Sequence, residues 1–265
     1  MIIMNELKKD FIEIFNYREL LKQLVLKDIK LKYRRSYLGY VWSILNPLLM
    51  MSVLVLVFSN LFRFDIDNFA VYLLSGQLIF GFMAEATNVS STSIISNAPL
   101  LKKTYLPKQI FVISKVTSAL VNMLFSMIAL IIVMIFTQVS VTSNILWVPI
   151  IFFEVFIFSL GLSFFLASTS VFFRDIQYLW GVFISIWMYA TPIIYPISII
   201  PKEYIWLYEK LNPMVNYVSQ FRSVILNTQG FDFYQFVQGF FVAFVFLALG
   251  IFVFEKKQND FILYI

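Results

Sequence analysis

Six long apolar runs, at roughly 40–62, 69–95, 109–137, 146–172, 177–200 and 232–254, constrain any fold this chain can adopt. An α-helix needs about 20 apolar residues to cross a hydrocarbon layer of ~30 Å. Inside that layer every backbone N–H and C=O must find a partner within the protein, and a helix supplies those partners from its own segment. A transmembrane barrel would instead show alternating segments of about ten residues. Apolar residues make up 60% of the chain and charged residues 13%, whereas a soluble domain is about a quarter charged. The expected fold is an all-α polytopic membrane protein with six transmembrane helices.

Orientation follows from Lys and Arg near the span ends, which are in excess on the cytoplasmic side. Sixteen of the twenty basic residues fall on one side: nine from Lys8 to Arg35, then Lys102, Lys103, Lys108, Lys115, Arg174, Lys256 and Lys257. The other side has Arg63, Lys202, Lys210 and Arg222. Both termini are therefore expected in the cytoplasm. Residues 1–37 are charged and place the first apolar run too far along for a cleavable signal.

The chain has no cysteine and no histidine. That removes disulfides, the commonest zinc ligands and the commonest general base. None of the eight glycines precedes a Lys-Ser or Lys-Thr pair, so there is no phosphate-cradling loop. If ATP powers this protein, another subunit hydrolyses it. No catalytic or metal-ligating constellation is present in the sequence.

Two stretches depart from the six-run pattern. Residues 196–231 are aliphatic and aromatic yet contain Lys202, Glu203, Glu209, Lys210, Asn212, Pro213 and Arg222. A charge at the centre of a span costs about 2.5–3.5 kcal/mol on insertion scales. Two short amphipathic or re-entrant helices broken at Pro213 are expected there, between spans five and six. Residues 10–35 set Tyr17, Leu20, Leu21, Leu24, Val25 and Ile29 at helical spacing with Lys or Arg opposite, the pattern of a helix lying in the membrane interface. The chain thus divides into an N-terminal segment, 1–37, with an amphipathic interface helix, and a transmembrane domain, 38–265.

Glu85 and Glu154 are the acidic residues within apolar runs, and ionisable groups at such positions are functional candidates by default. They read either as a polar conduit lining or proton relay, or as carboxyls that fix helix contacts. Tyr and Trp are abundant, most of them suited to anchoring at headgroup level and some to stacking on sugar rings. Arg174-Asp175 occupies a connection of a few residues between spans four and five. It reads as a snorkelling Arg beside a helix-capping Asp, or as a rigid contact for a partner.

Four stretches together resemble the permease subunits of the ABC-2 family that export O-antigen, teichoic acid, capsule and related polysaccharides. They are Leu24 to Gly39, including Lys27-Asp28-Ile29-Lys30 and Tyr33-Arg34-Arg35-Ser36, with Trp42 and Asn46-Pro47; Ser96-Asn97-Ala98-Pro99 through Pro107; Phe172-Phe173-Arg174-Asp175-Ile176; and Thr191-Pro192-Ile193-Ile194-Tyr195-Pro196 with Leu211-Asn212-Pro213. The resemblance implies a homodimer working with two copies of a separate nucleotide-binding ATPase, which would hold the ATP and Mg; no cofactor is expected on this chain. Its substrate would be a lipid-linked polysaccharide in the bacterial plasma membrane, with no role for nucleic acid. Arg34, Arg35, Pro99, Lys102, Lys103, Pro107, Arg174 and Asp175 would face the ATPase. Tyr40, Trp42, Glu85, Glu154, Tyr189 and Tyr195 would line the conduit, and Pro196, Pro201, Trp206 and Pro213 would shape an extracellular gate.

Other readings share parts of this pattern. An ABC-2 exporter of a small hydrophobic compound would have the same topology. A membrane-embedded glycolipid-processing enzyme would use Glu85 and Glu154 as acid and base, and a proton-driven transporter would use them as a relay.

Overall fold

The computed structural model describes residues 16–34, 36–61, 66, 68–228 and 231–265, and every regular element among them is helical. In chain order these are α1 (Arg18–Tyr33), α2 (Trp42–Leu61), α3 (Phe69–Ser91), α4 (Ser93–Ser96), α5 (Ala98–Leu101), α6 (Gln109–Phe136), α7 (Val148–Phe172), α8 (Ile176–Tyr189), α9 (Lys202–Leu211), α10 (Pro213–Ile225), α11 (Phe233–Lys257) and α12 (Phe261–Tyr264).

Five stretches are long and apolar enough to cross a membrane: Gly39–Phe58, Phe69–Ser91, Gln109–Phe136, Ser143–Phe172 and Phe233–Tyr264. Their starts lie within a few residues of five of the six expected runs. The remaining run, 177–200, is not one long helix. Its helical part, α8, has 14 residues, about 21 Å at 1.5 Å per residue, after which the chain turns through 190–196. Downstream, the expected pair of short helices is present as α9 and α10, which meet at Asn212-Pro213. Asn212 caps α10 by accepting from the Met214 N–H at 3.1 Å, and Pro213 takes the first helical position, where its missing N–H costs nothing.

The centre of the bundle is α3 and α7, whose Val71, Ile79, Met83 and Phe158 are fully buried. The pair α7 and α11 shares the most extensive contact, and α3 packs on both α6 and α7. By contrast α2 and α8 are peripheral: α8 buries no residue, and Ser43 is the sole buried side chain described in α2. Pro47 lies inside α2 and cannot donate to the carbonyl four residues back. That carbonyl, on Ser43, instead accepts from the Ser126 hydroxyl of α6 at 3.2 Å. A helix break in an apolar layer is thus resatisfied by a neighbouring helix.

A second, smaller core joins Leu24, Leu101, Phe111, Phe164, Val171, Phe254 and Phe261 at one end of the bundle. Phe261 of α12 is fully buried there, with ring centroids 5.2 Å from Phe254 and 6.0 Å from Phe172. Truncating a fully buried Phe costs about 3–5 kcal/mol. Phe261→Ala is therefore expected to lower the thermal stability of the detergent-solubilised protein and to expose the chain beyond Lys257 to protease. Unchanged melting and protection would show that α12 is a passive tail.

Candidate functional site

The amphipathic helix does not end as a free surface element. Leu24 and Val25 of α1 are buried, and Tyr17, Leu20 and Leu21 pack on the smaller core. The anticipated unit began at residue 10; its first six residues, and Arg35, lie outside the described residues. Asp28 and Lys32, four residues apart and so on one face of α1, reach into the bundle. The Lys115 ammonium donates to Asp28 Oδ1 at 2.7 Å. The Lys32 ammonium donates to Glu85 Oε1 at 2.6 Å, and Asn122 Nδ2 donates to the same oxygen at 2.8 Å. Glu85, which has no basic partner in its own span, is thus paired from a helix far away in sequence. It borders a cleft of about 370 Å³ lined also by Asn46, Gln77, Ser126 and Met188.

Glu154 has different surroundings. It is fully enclosed on α7, where its Oε1 accepts from Gln220 Nε2 at 3.3 Å. The same Nε2 donates to Asn216 Oδ1 at 2.9 Å, and the Tyr217 hydroxyl beside it donates to the Gly239 carbonyl at 3.0 Å. Among the described residues, Glu154 Oε2 and Gln220 Oε1 have no hydrogen-bond partner. The two membrane carboxylates therefore share neither a partner nor a cavity, and no group of three or more His, Cys, Asp or Glu among the described residues is placed to hold a metal. Among the described residues Glu85 and Glu154 are not brought together.

At the end carrying the basic loop, Lys102, Lys103 and Pro107 line a pocket of about 340 Å³ with Gln258, Asn259 and Ile262 of the C-terminal segment. Both lysines are exposed, as are Arg34, Pro99, Arg174 and Asp175, whereas Pro107 is buried. Lys108 anchors this wall by donating to the Gln258 carbonyl at 2.6 Å, with its ammonium 5.9 Å from the Phe261 ring. Burial holds that ammonium below the usual lysine range, against the opposing pull of Glu255.

Of the aromatic residues, Tyr40 and Trp42 are exposed, Tyr40 stacking on Phe125 with centroids 5.8 Å apart. Tyr189 is exposed, and its carbonyl accepts from the Tyr195 hydroxyl at 2.8 Å. Pro196 and Pro213 are half-buried, Pro201 is exposed, and Trp206 is exposed beneath the Lys210 ammonium. Sequence reasoning assigned no site role to Asp28, Lys115, Asn122, Gln220 or Arg222. The four-residue spacing of Asp28 and Lys32 was a readable signal, but their partners came from other helices.

The described residues thus form a polytopic helical membrane bundle with a docked amphipathic helix and a basic loop at one end. The sequence model of the ABC-2 type transporter family matches residues 19–226, and the chain belongs to that family. Among curated proteins it is similar to the O-antigen export system permease protein RfbA of Myxococcus xanthus, 31% identical over 251 residues, covering 94% of this chain and 96% of that one. RfbA of Klebsiella pneumoniae is 29% identical over 247 residues, 92% and 93% of the two chains. The polysialic acid transport protein KpsM of Escherichia coli is 23% identical over 206 residues, 77% and 80%.

Proposed function

We propose that this chain is the membrane-spanning permease subunit of an ATP-driven exporter that moves a lipid-linked cell-surface polysaccharide from the cytoplasm to the outer face of the bacterial plasma membrane. The observation that carries the reading is near end-to-end similarity to an O-antigen export permease. In this reading two copies of the chain form the conduit and two copies of a separate ATPase bind ATP and Mg beneath it. The exposed apolar faces of α2 and α8 support a second copy, since those two are the least buried of the strongly apolar helices. Six crossings with both termini inside result if α8 and the turn after it together complete the fifth, while α9 and α10 dip back from the outer side.

The ATPase would sit against the exposed Arg34, Pro99, Lys102, Lys103, Arg174 and Asp175, with Arg35 and Pro107 completing that end. Tyr40, Trp42, Tyr189, Tyr195 and Glu85 would face the glycan, whereas Glu154, expected in the same lining, is fully enclosed beside Gln220. Pro196, Pro201, Trp206 and Pro213 would shape the outer gate. ATP can move the two halves only if it binds one arrangement more tightly than the other.

Inactivating the partner ATPase is expected to make lipid-linked glycan build up on the inner leaflet while surface glycan is lost. Unchanged glycan lipids together with accumulation of a small hydrophobic compound would overturn the substrate assignment.

A further inference from the structure

Arg222 of α10 is 8% exposed, and among the described residues no carboxylate pairs with it. Its charge is met instead by backbone oxygens. Nη1 donates to the Pro192 carbonyl at 2.6 Å, Nη2 to Ile193 at 2.9 Å and to Tyr72 at 3.0 Å, and Nε to Tyr72 at 3.2 Å. The guanidinium also lies 3.4 Å from the Tyr72 ring centroid. Gly76 makes the room, since a Cβ there would stand 2.5 Å from Nη2 and 3.2 Å from Ile193.

Every helix leaves its last carbonyls unpartnered, and inside a membrane such groups must be met by protein. The carbonyls of the turn that follows α8 are met by side chains distant in sequence. Arg222 takes Pro192 and Ile193, and the Tyr72 hydroxyl approaches Pro192 at 3.2 Å and Tyr195 at 3.0 Å. Asn212 Nδ2 in turn donates to the Ala190 carbonyl at 3.1 Å and to the Thr191 hydroxyl at 3.0 Å. A cation at the carboxyl end of a helix is also favoured by the helix dipole. The planar guanidinium fork holds its N–H donors in fixed, spread directions that match these three carbonyls, whereas a lysine ammonium clusters its three donors on one compact nitrogen.

We propose that Arg222 is a positioning residue for export: it fixes where α8 stops and joins α10 to α3, so that of the two hairpin helices only α9 moves during the transport cycle. The burial pattern supports this division. Nine residues of α10 are buried and none of α9 is, and α9 is bounded by Pro201 and Asn212-Pro213. The proposal rests on the exporter reading for the meaning of the motion, but not for its existence.

The absence of cysteine from this chain permits its labelling at one introduced site, after purification and before reconstitution with its ATPase in lipid vesicles. Spin labels at Glu209→Cys on α9 and Ser219→Cys on α10 report each helix. Addition of ATP is expected to change the mobility of the first and leave the second unchanged. Adding Arg222→Gln should make the Ser219 probe respond to ATP as well and lower glycan export about tenfold or more, the scale of several lost charge-assisted hydrogen bonds. Arg222→Lys should not restore either. If Arg222→Gln fails to accumulate, Gly76→Ala keeps the arginine, displaces its fork and is expected to give the same two effects. Equal ATP responses at both probes in the parent, silence at both, or parental probe behaviour and export in both variants would overturn the proposal. Failure of the exporter reading looks different, with no glycan exported by any variant or by the parent while the probe pattern is still read.

Discussion

Gly161→Val and Gly250→Val will each prevent stable accumulation of the folded protein, and Gly161→Ala alone will destabilise it by about 3 kcal/mol or more, beyond the usual cost of overpacking. The reason is a backbone-to-backbone crossing of α7 and α11. A Cβ on Gly161 would run into the backbone of Phe246 and Leu247, and one on Gly250 into the carbonyl of Gly161. Side chains can rotate away from an added methyl, but these atoms cannot move unless the helices part. In lipid, helix association depends on close packing of small residues because the apolar effect gives little preference for protein over acyl chain. The two alanine variants should be markedly less than additive, since helices already parted by one methyl accommodate the second. Gly181→Ala, with nothing within 4 Å of its added Cβ, is the control. It should be neutral or stabilising by up to about 1 kcal/mol, as for a helical glycine with open space for a methyl group. Thermal unfolding in detergent measures Gly161→Ala, Gly250→Ala, their combination and Gly181→Ala, the amount of folded protein measures the valine variants, and equal melting of Gly161→Ala and Gly181→Ala would falsify the crossing.

Lys115→Asp is expected to cost about 2 kcal/mol or more, and to undock α1, because it faces Asp28 with a like charge in a partly buried site. The side chains of this pair are 21% and 20% exposed. Adding Asp28→Lys should recover most of the loss by reversing the pair. The same exchange at Lys32 and Glu85, where exposure is 41% and 34%, should show coupling below about 1 kcal/mol, since solvent screens it. Protease sensitivity of α1 and export by the reconstituted complex give the two readouts. If neither single reversal loosens α1, or the double reversal fails to restore it, the ion pairs are incidental to docking. A result in which α1 stays docked but export falls would place the pairs in transmission alone.

The two carboxylates of the apolar runs show how far the sequence could be read. Both were visible as costly groups needing a reason, because charge in an apolar run is conspicuous in one dimension. Their reasons were not visible. Glu85 is held by Lys32 and Asn122, on helices that precede and follow its own, and Glu154 by Gln220 on α10. Arg222 was legible only as a basic residue on the less charged side, since its partners are backbone oxygens, which every residue carries. The fifth run shows where hydropathy and helix length part. Its hydropathy continues past Tyr189, yet the helix ends there, and Arg222, Tyr72 and Asn212 donate to carbonyls of the turn that follows.

What the sequence determined by itself is the all-helical membrane class, the starts of the long helices, the break at Asn212-Pro213 and the apolar face of α1. Each of these depends on transfer energies and backbone chemistry that act locally along the chain. Which helices touch, which charges pair, where α8 ends and which carboxylate opens on a cleft were decided only in the tertiary structure. Those outcomes depend on hydrogen-bonding and packing partners that lie tens of residues apart, and no local pattern encodes a partner's position.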